Sequence, residues 1–159
     1  MDEVRVRPIA TVRGGRSDLA DDHWGDVEAD LVLAQWVPDG ALSGLDGFSH
    51  LEVIFLFDRV EEDREPAPTR RPRGLDELPE VGILAQRHKD RPGRIGLSRC
   101  AIVEVERRSI RVRGLDALDG TPVVEIKPWF RAFGPRGAIR EPSWVRTITA
   151  DYFSSGPSV

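Results

Sequence analysis

Cysteine is nearly missing from this 159-residue chain, Cys100 being the single one. An internal disulfide and a cysteine-built zinc cage are therefore excluded, and the cytosol is the natural compartment. Also missing is any apolar stretch near the roughly 20 residues that cross a bilayer. The amino terminus, Met-Asp-Glu-Val-Arg-Val-Arg, alternates charge with valine where a secretion signal needs an unbroken apolar run. The expectation is a soluble, unexported, cytoplasmic protein with no membrane contact. Basic excess is absent as well. A net charge of -4 and a pI near 5.4 argue against coating nucleic acid through phosphate neutralisation, and leave room only for a local basic patch. No Gly-x-Gly-x-x-Gly lies between a strand and a helix, and no phosphate loop ends in Gly-Lys-Ser or Gly-Lys-Thr, which argues against a Rossmann-type fold. The histidines His23, His50 and His88 fall in different segments without ligand spacing, so no metal is expected. His50 reads as structural, fixing the turn before a strand.

What is present suits one compact core. Hydrophobic residues at 40% and charged residues at 31% supply an interior beneath a heavily charged surface, and the length predicts a single domain over residues 1–159. Period-two patterns predict strands at 4–13, with Pro8 marking an edge or bulge, and at 27–34. The apolar run 51–57 has the length and β-branched content of a central strand. Further strands are predicted at 81–86, 97–106, 109–113 and 121–127, with Ile110 and Val112 inward. The charged, proline-bearing stretch 59–80 reads as a long excursion loop. In 141–153, Trp144, Ile148 and Phe153 are spaced loosely like a helix face and Pro142 suits a helix start. Many short strands and one terminal helix predict a mainly β fold, a compact antiparallel β-barrel with short helices that include a C-terminal one.

Three ordered blocks carry more than fold. They are Leu45-Asp46-Gly47-Phe48-Ser49-His50-Leu51, the turn Arg87-His88-Lys89-Asp90-Arg91-Pro92-Gly93-Arg94-Ile95-Gly96, and Leu118-Asp119-Gly120-Thr121-Pro122-Val123-Val124-Glu125-Ile126-Lys127-Pro128. Together they closely resemble the TsaA-like, or TrmO-like, family, whose texts at these places are Gly-Phe-Ser-His, Arg-x-x-x-Arg-Pro-Asn-x-Ile-Gly and Leu-Asp-Gly-Thr-Pro-Val-x-x-Ile-Lys-Pro. The chain departs from that pattern at Gly93 and Arg94, at Asp58 where many relatives have His, and at Asp22-His23-Trp24, which replaces a Pro-Arg-Gln loop. The resemblance implies a β-barrel, usually dimeric, that uses S-adenosyl-L-methionine to N-methylate threonylcarbamoyladenosine beside the tRNA anticodon. It also implies a cofactor site near Asp22, His23 and Trp24, Asp58 and Arg59, Arg87 and Leu97, and Asp119, Gly120, Thr121 and Pro122. The extra C-terminal domain of longer relatives is not expected here.

The residue chemistry allows these roles and blander ones. Asp22, Asp58 and Asp119 are candidate partners for the donor's charged groups, although Asp119-Gly120 is equally a tight-turn pair. Trp24 offers a flat face to adenine or anchors its loop, and His23 is the candidate catalytic base because its pKa lies near neutrality. Arg87, Arg91 and Arg94 carry planar donor forks suited to carboxylate or phosphate, and Arg70, Arg71 and Arg73 suit RNA phosphates, yet solvated charge explains each of them too. The leading expectation is a tRNA N-methyltransferase. Methylation of a small-molecule acceptor and a non-catalytic S-adenosylmethionine- or RNA-binding role stand beside it.

Overall fold

The computed structural model describes residues 4–61 and 65–155. Among the described residues eight strands form in chain order: β1 (Ala10–Arg13), β2 (Glu28–Leu33), β3 (His50–Leu56), β4 (Thr69–Arg70), β5 (Val81–Gly82), β6 (Ile95–Val105), β7 (Ser109–Arg113) and β8 (Pro122–Pro128). Six of them close a barrel in the order β1-β2-β7-β6-β3-β8, and every pairing is antiparallel. The mainly β, antiparallel-barrel expectation is thus met. A separate two-stranded ribbon pairs β4 with β5.

The alternation read from the sequence is what fills the barrel. Val12, Leu31, Leu51, Val53, Ile110, Val112 and Val123 are all completely buried, and Phe55 nearly so. Their outward neighbours pair across strands, Arg111 with Asp30 and Arg113 with Glu28. Gly96 is needed where it stands, because a Cβ there would lie 2.3 Å from the Phe55 ring. The β3–β8 register also shifts between Ile54 and Phe55, a bulge that bends β3 beside the loops above it.

Four details depart from the predicted elements. The strand expected over 4–13 begins only at Ala10: Pro8 offers no N–H to a ladder, and Val4 and Val6 are exposed. The strand expected over 81–86 stops at Gly82, where Ile83–Ala85 turns into a 3-10 helix whose Ile83 N–H donates to Pro68 O. The excursion loop contains β4 and a 3-10 turn at Pro72–Gly74, while its positions 62–64 lie outside the described residues, as do 1–3 of the amino terminus. The helix α1 (Trp144–Thr149) forms as expected, but Phe153 is exposed and Tyr152 turns inward instead. Among the described residues no helix is long and apolar enough to cross a membrane.

Candidate functional site

Antiparallel pairing collects the connections 14–27, 57–94 and 114–121 at one end of the barrel. They enclose a cavity of about 480 Å³, inside the roughly 300–1,000 Å³ range of sites for small ligands and cofactors. Its floor is Phe55, Leu56 and Phe57 at the top of β3. Of the residues singled out from sequence, Trp24, Asp58, Arg59, Arg70, Arg73, Arg87 and Thr121 line it. Three remote stretches of chain therefore meet in one wall.

Several of these side chains are held in place by backbone groups. Arg59 donates to Asp119 O at 2.7 Å, tying the top of β3 to the 114–121 connection, which crosses from β7 to the non-adjacent β8. Arg87 donates to the carbonyl of Leu97, and Leu97 itself does not line the cavity. Trp24 is buried, and the Arg16 guanidinium sits 4.5 Å from its ring centroid, covering one face of the indole. Thr121 is buried immediately before β8.

The remaining candidates stand behind the wall. Asp22 grips Arg73 through two bonds of 2.7 and 2.5 Å, and this partner holds its carboxyl below the usual aspartate range. Asp119 accepts the Gly14 N–H at 2.9 Å, and Gly120 has φ 88°, so the pair performs a turn role within the β7–β8 crossover, with Pro122 opening β8. His23 faces the C-terminal segment: its N–H donates to Asp151 O at 3.0 Å and its Nδ1 lies 2.9 Å from Ser154 Oγ. Arg71, Arg91 and Arg94 are occupied by the carbonyls of Leu78, Gln86 and Val60.

The sequence reading missed several wall residues. His88 Nδ1 accepts the Asp90 N–H at 3.1 Å and lies 3.3 Å from Arg70, so the neutral ring carries its proton on Nε2. Burial, and then the Arg70 charge, lower its pKa. Asp90 is buried and paired with Arg70 and Lys89. Asp116 stands in the same wall, accepting from Ser98 Oγ and, at 2.5 Å, from the Tyr152 hydroxyl. Burial pushes the Asp116 carboxyl up and also raises the Tyr152 phenol. One signal for Asp116 was available: it sits between the apolar Leu115 and Ala117, both buried, in a connection where attention goes to Asp119-Gly120.

This arrangement has known counterparts. Residues 20–134 match the tRNA-methyltransferase O N-terminal domain family. A probable S-adenosyl-L-methionine-binding protein of Methanothermobacter thermautotrophicus is 34% identical over 132 residues, covering 80% of this chain and 91% of that one. A tRNA (adenine(37)-N6)-methyltransferase of Escherichia coli is 36% identical over 102 residues, covering 62% of this chain and 43% of that one. The crystal structure of TrmO from Pseudomonas aeruginosa superposes with a TM-score of 0.69 at 27% identity, over 90% of this chain and 62% of that chain. The chain thus spans nearly all of the archaeal relative and less than half of the Escherichia coli enzyme. The cavity wall from Ala20 to Thr121 lies inside the matched stretch and Tyr152 lies beyond it. This chain belongs to the tRNA-methyltransferase O N-terminal domain family.

Proposed function

We propose that this chain is an S-adenosyl-L-methionine-dependent methyltransferase that N-methylates threonylcarbamoyladenosine beside the tRNA anticodon. The observation that carries the reading is the cavity itself, whose wall draws on two of the three blocks that resemble the family, the turn at 87–96 and the stretch at 118–128. Its donor set fits the cofactor. A zwitterion with a flat base and a positive sulfur asks for guanidinium, carboxylate and apolar surface together, and Arg59 and Arg87, Asp58 and Asp116, and Phe57 and Leu118 supply them. When bound, the cofactor presents an electrophilic methyl group on its sulfonium. The protein's task is then to hold two reactants in line and keep water out. Arg87, fixed by Leu97 O, orients an anionic group. Arg70 and Arg73, paired with Asp90 and Asp22 at the cavity, are the guanidiniums that RNA phosphates would compete for. A single domain over 1–159, working as a homodimer in the cytoplasm, completes the proposal.

Calorimetric titration with S-adenosylmethionine is the primary test. Saturable binding, abolished or weakened in Arg87→Ala, supports the site, and no binding by folded protein overturns it. Methyl transfer to tRNA lacking the modification, with affinity that falls as salt rises, identifies the acceptor. The acidic net charge favours one rival, a small-molecule acceptor, for which tRNA would be inert and binding indifferent to salt. His23→Ala settles that residue's part. Weaker binding with turnover intact at saturation assigns it to anchoring through Ser154, while slowed turnover with binding intact restores it as the base.

A further inference from the structure

β8 ends at the barrel end opposite the cavity, yet Tyr152 lines the cavity, so the intervening chain runs back along the outside of the barrel. What brings it home is specific. Besides the His23 bonds, the Trp24 N–H donates to Tyr152 O at 2.9 Å, and Gly25 lies so close that a Cβ there would be 2.0 Å from Phe153 O. This strap, residues 143–154, thereby pins the 22–25 loop and carries the Tyr152 hydroxyl onto Asp116.

Asp116 differs from the other carboxylates that have partners here. Asp22 and Asp90 are tied to arginine or lysine at salt-bridge distance, whereas the bonds to the Asp116 carboxyl come from two neutral hydroxyls, Ser98 and Tyr152. A carboxylate has about four acceptor positions, so two hydroxyls leave room for a further donor or cation. Asp116 also lines the cavity, where a buried negative charge of this kind is stabilised by an entering positive one.

We propose that Asp116 is the subsite that receives the positive charge of S-adenosylmethionine, and that Tyr152, supplied by the strap, is its positioning residue. The inference rests on the reading of the cavity as the donor site. It assigns a binding function to a segment outside the family match and to a carboxylate that neither the Asp58 nor the Asp119 position would suggest. The cation is either the sulfonium or the ammonium of the same ligand. The groups facing Asp116 are Tyr152 from the strap, Ser98 and Cys100 from β6, and Arg87 from the turn, with Asp21 near Tyr152. Tyr152 donates to the carboxylate and so favours its charged form.

The test is calorimetry on full-length wild type, Asp116→Asn and Tyr152→Phe with S-adenosylmethionine and with S-adenosylhomocysteine, which keeps the ammonium and lacks the sulfonium. Asp116→Asn is expected to weaken S-adenosylmethionine by about 10- to 100-fold, the weight of a charge-assisted bond. Weakening confined to S-adenosylmethionine assigns the sulfonium; equal weakening of both ligands assigns the ammonium. Unchanged affinity for both, in a variant that melts cooperatively, overturns the proposal while the wild-type isotherm keeps the donor site. A silent wild type overturns both. For Tyr152→Phe the readout is the pH profile: loss of its bond destabilises the carboxylate, so the acid limb of binding moves to higher pH. A uniform drop at all pH values would make Tyr152 merely structural. Tyr152 is the sole tyrosine, so 3-fluorotyrosine labelling gives one fluorine resonance, expected to shift when S-adenosylmethionine is added.

Discussion

The two ends of the barrel are made from the same six strands and finished in opposite ways. At the end where β2 exits, Arg108 caps the connection by donating to Ala34 O, at 2.7 Å, and to Val37 O, and its contact with Asp39 lies in solvent. Left-handed backbone in the 34–49 connection falls on Gly40 and Gly44. At the cavity end the described residues with positive φ include three that are not glycine: His23 at 64°, Arg73 at 53° and Arg94 at 45°. Each such conformation costs on the order of 1–3 kcal/mol and persists only where surrounding bonds enforce it. Here those bonds are His23 to Asp151 and Ser154, Arg73 to Asp22, and Arg94 to Val60. Charge follows the same division. Both ends tie arginines to carbonyls, but only the cavity end also gathers carboxylates and guanidiniums around an opening.

If that division is real, substitutions at the two ends should fail differently. The largest effect is expected from Phe55→Ala, because this ring is both core and cavity floor. Its loss should cost about 3–5 kcal/mol in urea unfolding and abolish ligand binding together. Next comes Gly25→Ala, whose Cβ would strike Phe153 O at 2.0 Å. The strap should lift, with faster hydrogen exchange at 151–154 and several-fold weaker S-adenosylmethionine binding, while barrel amides keep their protection. If the barrel loosens as well, the strap is part of the core and not an addition to it.

A smaller effect should appear in the pH dependence of melting for ligand-free Asp116→Asn. The folded-state pKa of Asp116 is raised, so between the usual aspartate value of about 4 and that higher value the folded protein holds a proton the unfolded chain has lost. Stability from this group is therefore present at acid pH and lost as pH rises through that window. The Tm of the variant relative to wild type should climb over the same interval. Asp22, whose pKa is lowered, works in the opposite sense: its stabilisation is present above the usual aspartate value and lost as pH falls through its lower folded value. The smallest effect is expected at the far end. Arg107→Ala removes an exposed contact with Asp39 and should leave both Tm and ligand affinity within error.

What the sequence disclosed was mostly the barrel. β7 falls on the predicted 109–113, and β3 lies within a residue of 51–57, because alternation and apolar runs are set by which side chains face the core. The pattern misled where a strand had no neighbour, as at Val4 and Val6, whose alternation is genuine and unpaired. Placing residues at the site was harder. The motif blocks located the right loops, but a motif does not say which of its side chains turn inward. Asp116 and Asp119 are three residues apart in one connection, and only folding separates the buried carboxyl from the turn-former. Tyr152 carried no local signal, since its role depends on a return path that no spacing encodes.

That return path also sets an order of events during synthesis. The barrel closes when β8 meets β1, a pairing between residues more than a hundred positions apart, and the strap emerges from the ribosome only after β8 has done so. A nascent chain can therefore possess a finished barrel before Tyr152 reaches Asp116. In such a molecule, the acquisition of shape and the acquisition of binding are separate moments, and the strap, which follows the barrel in the chain, decides the second.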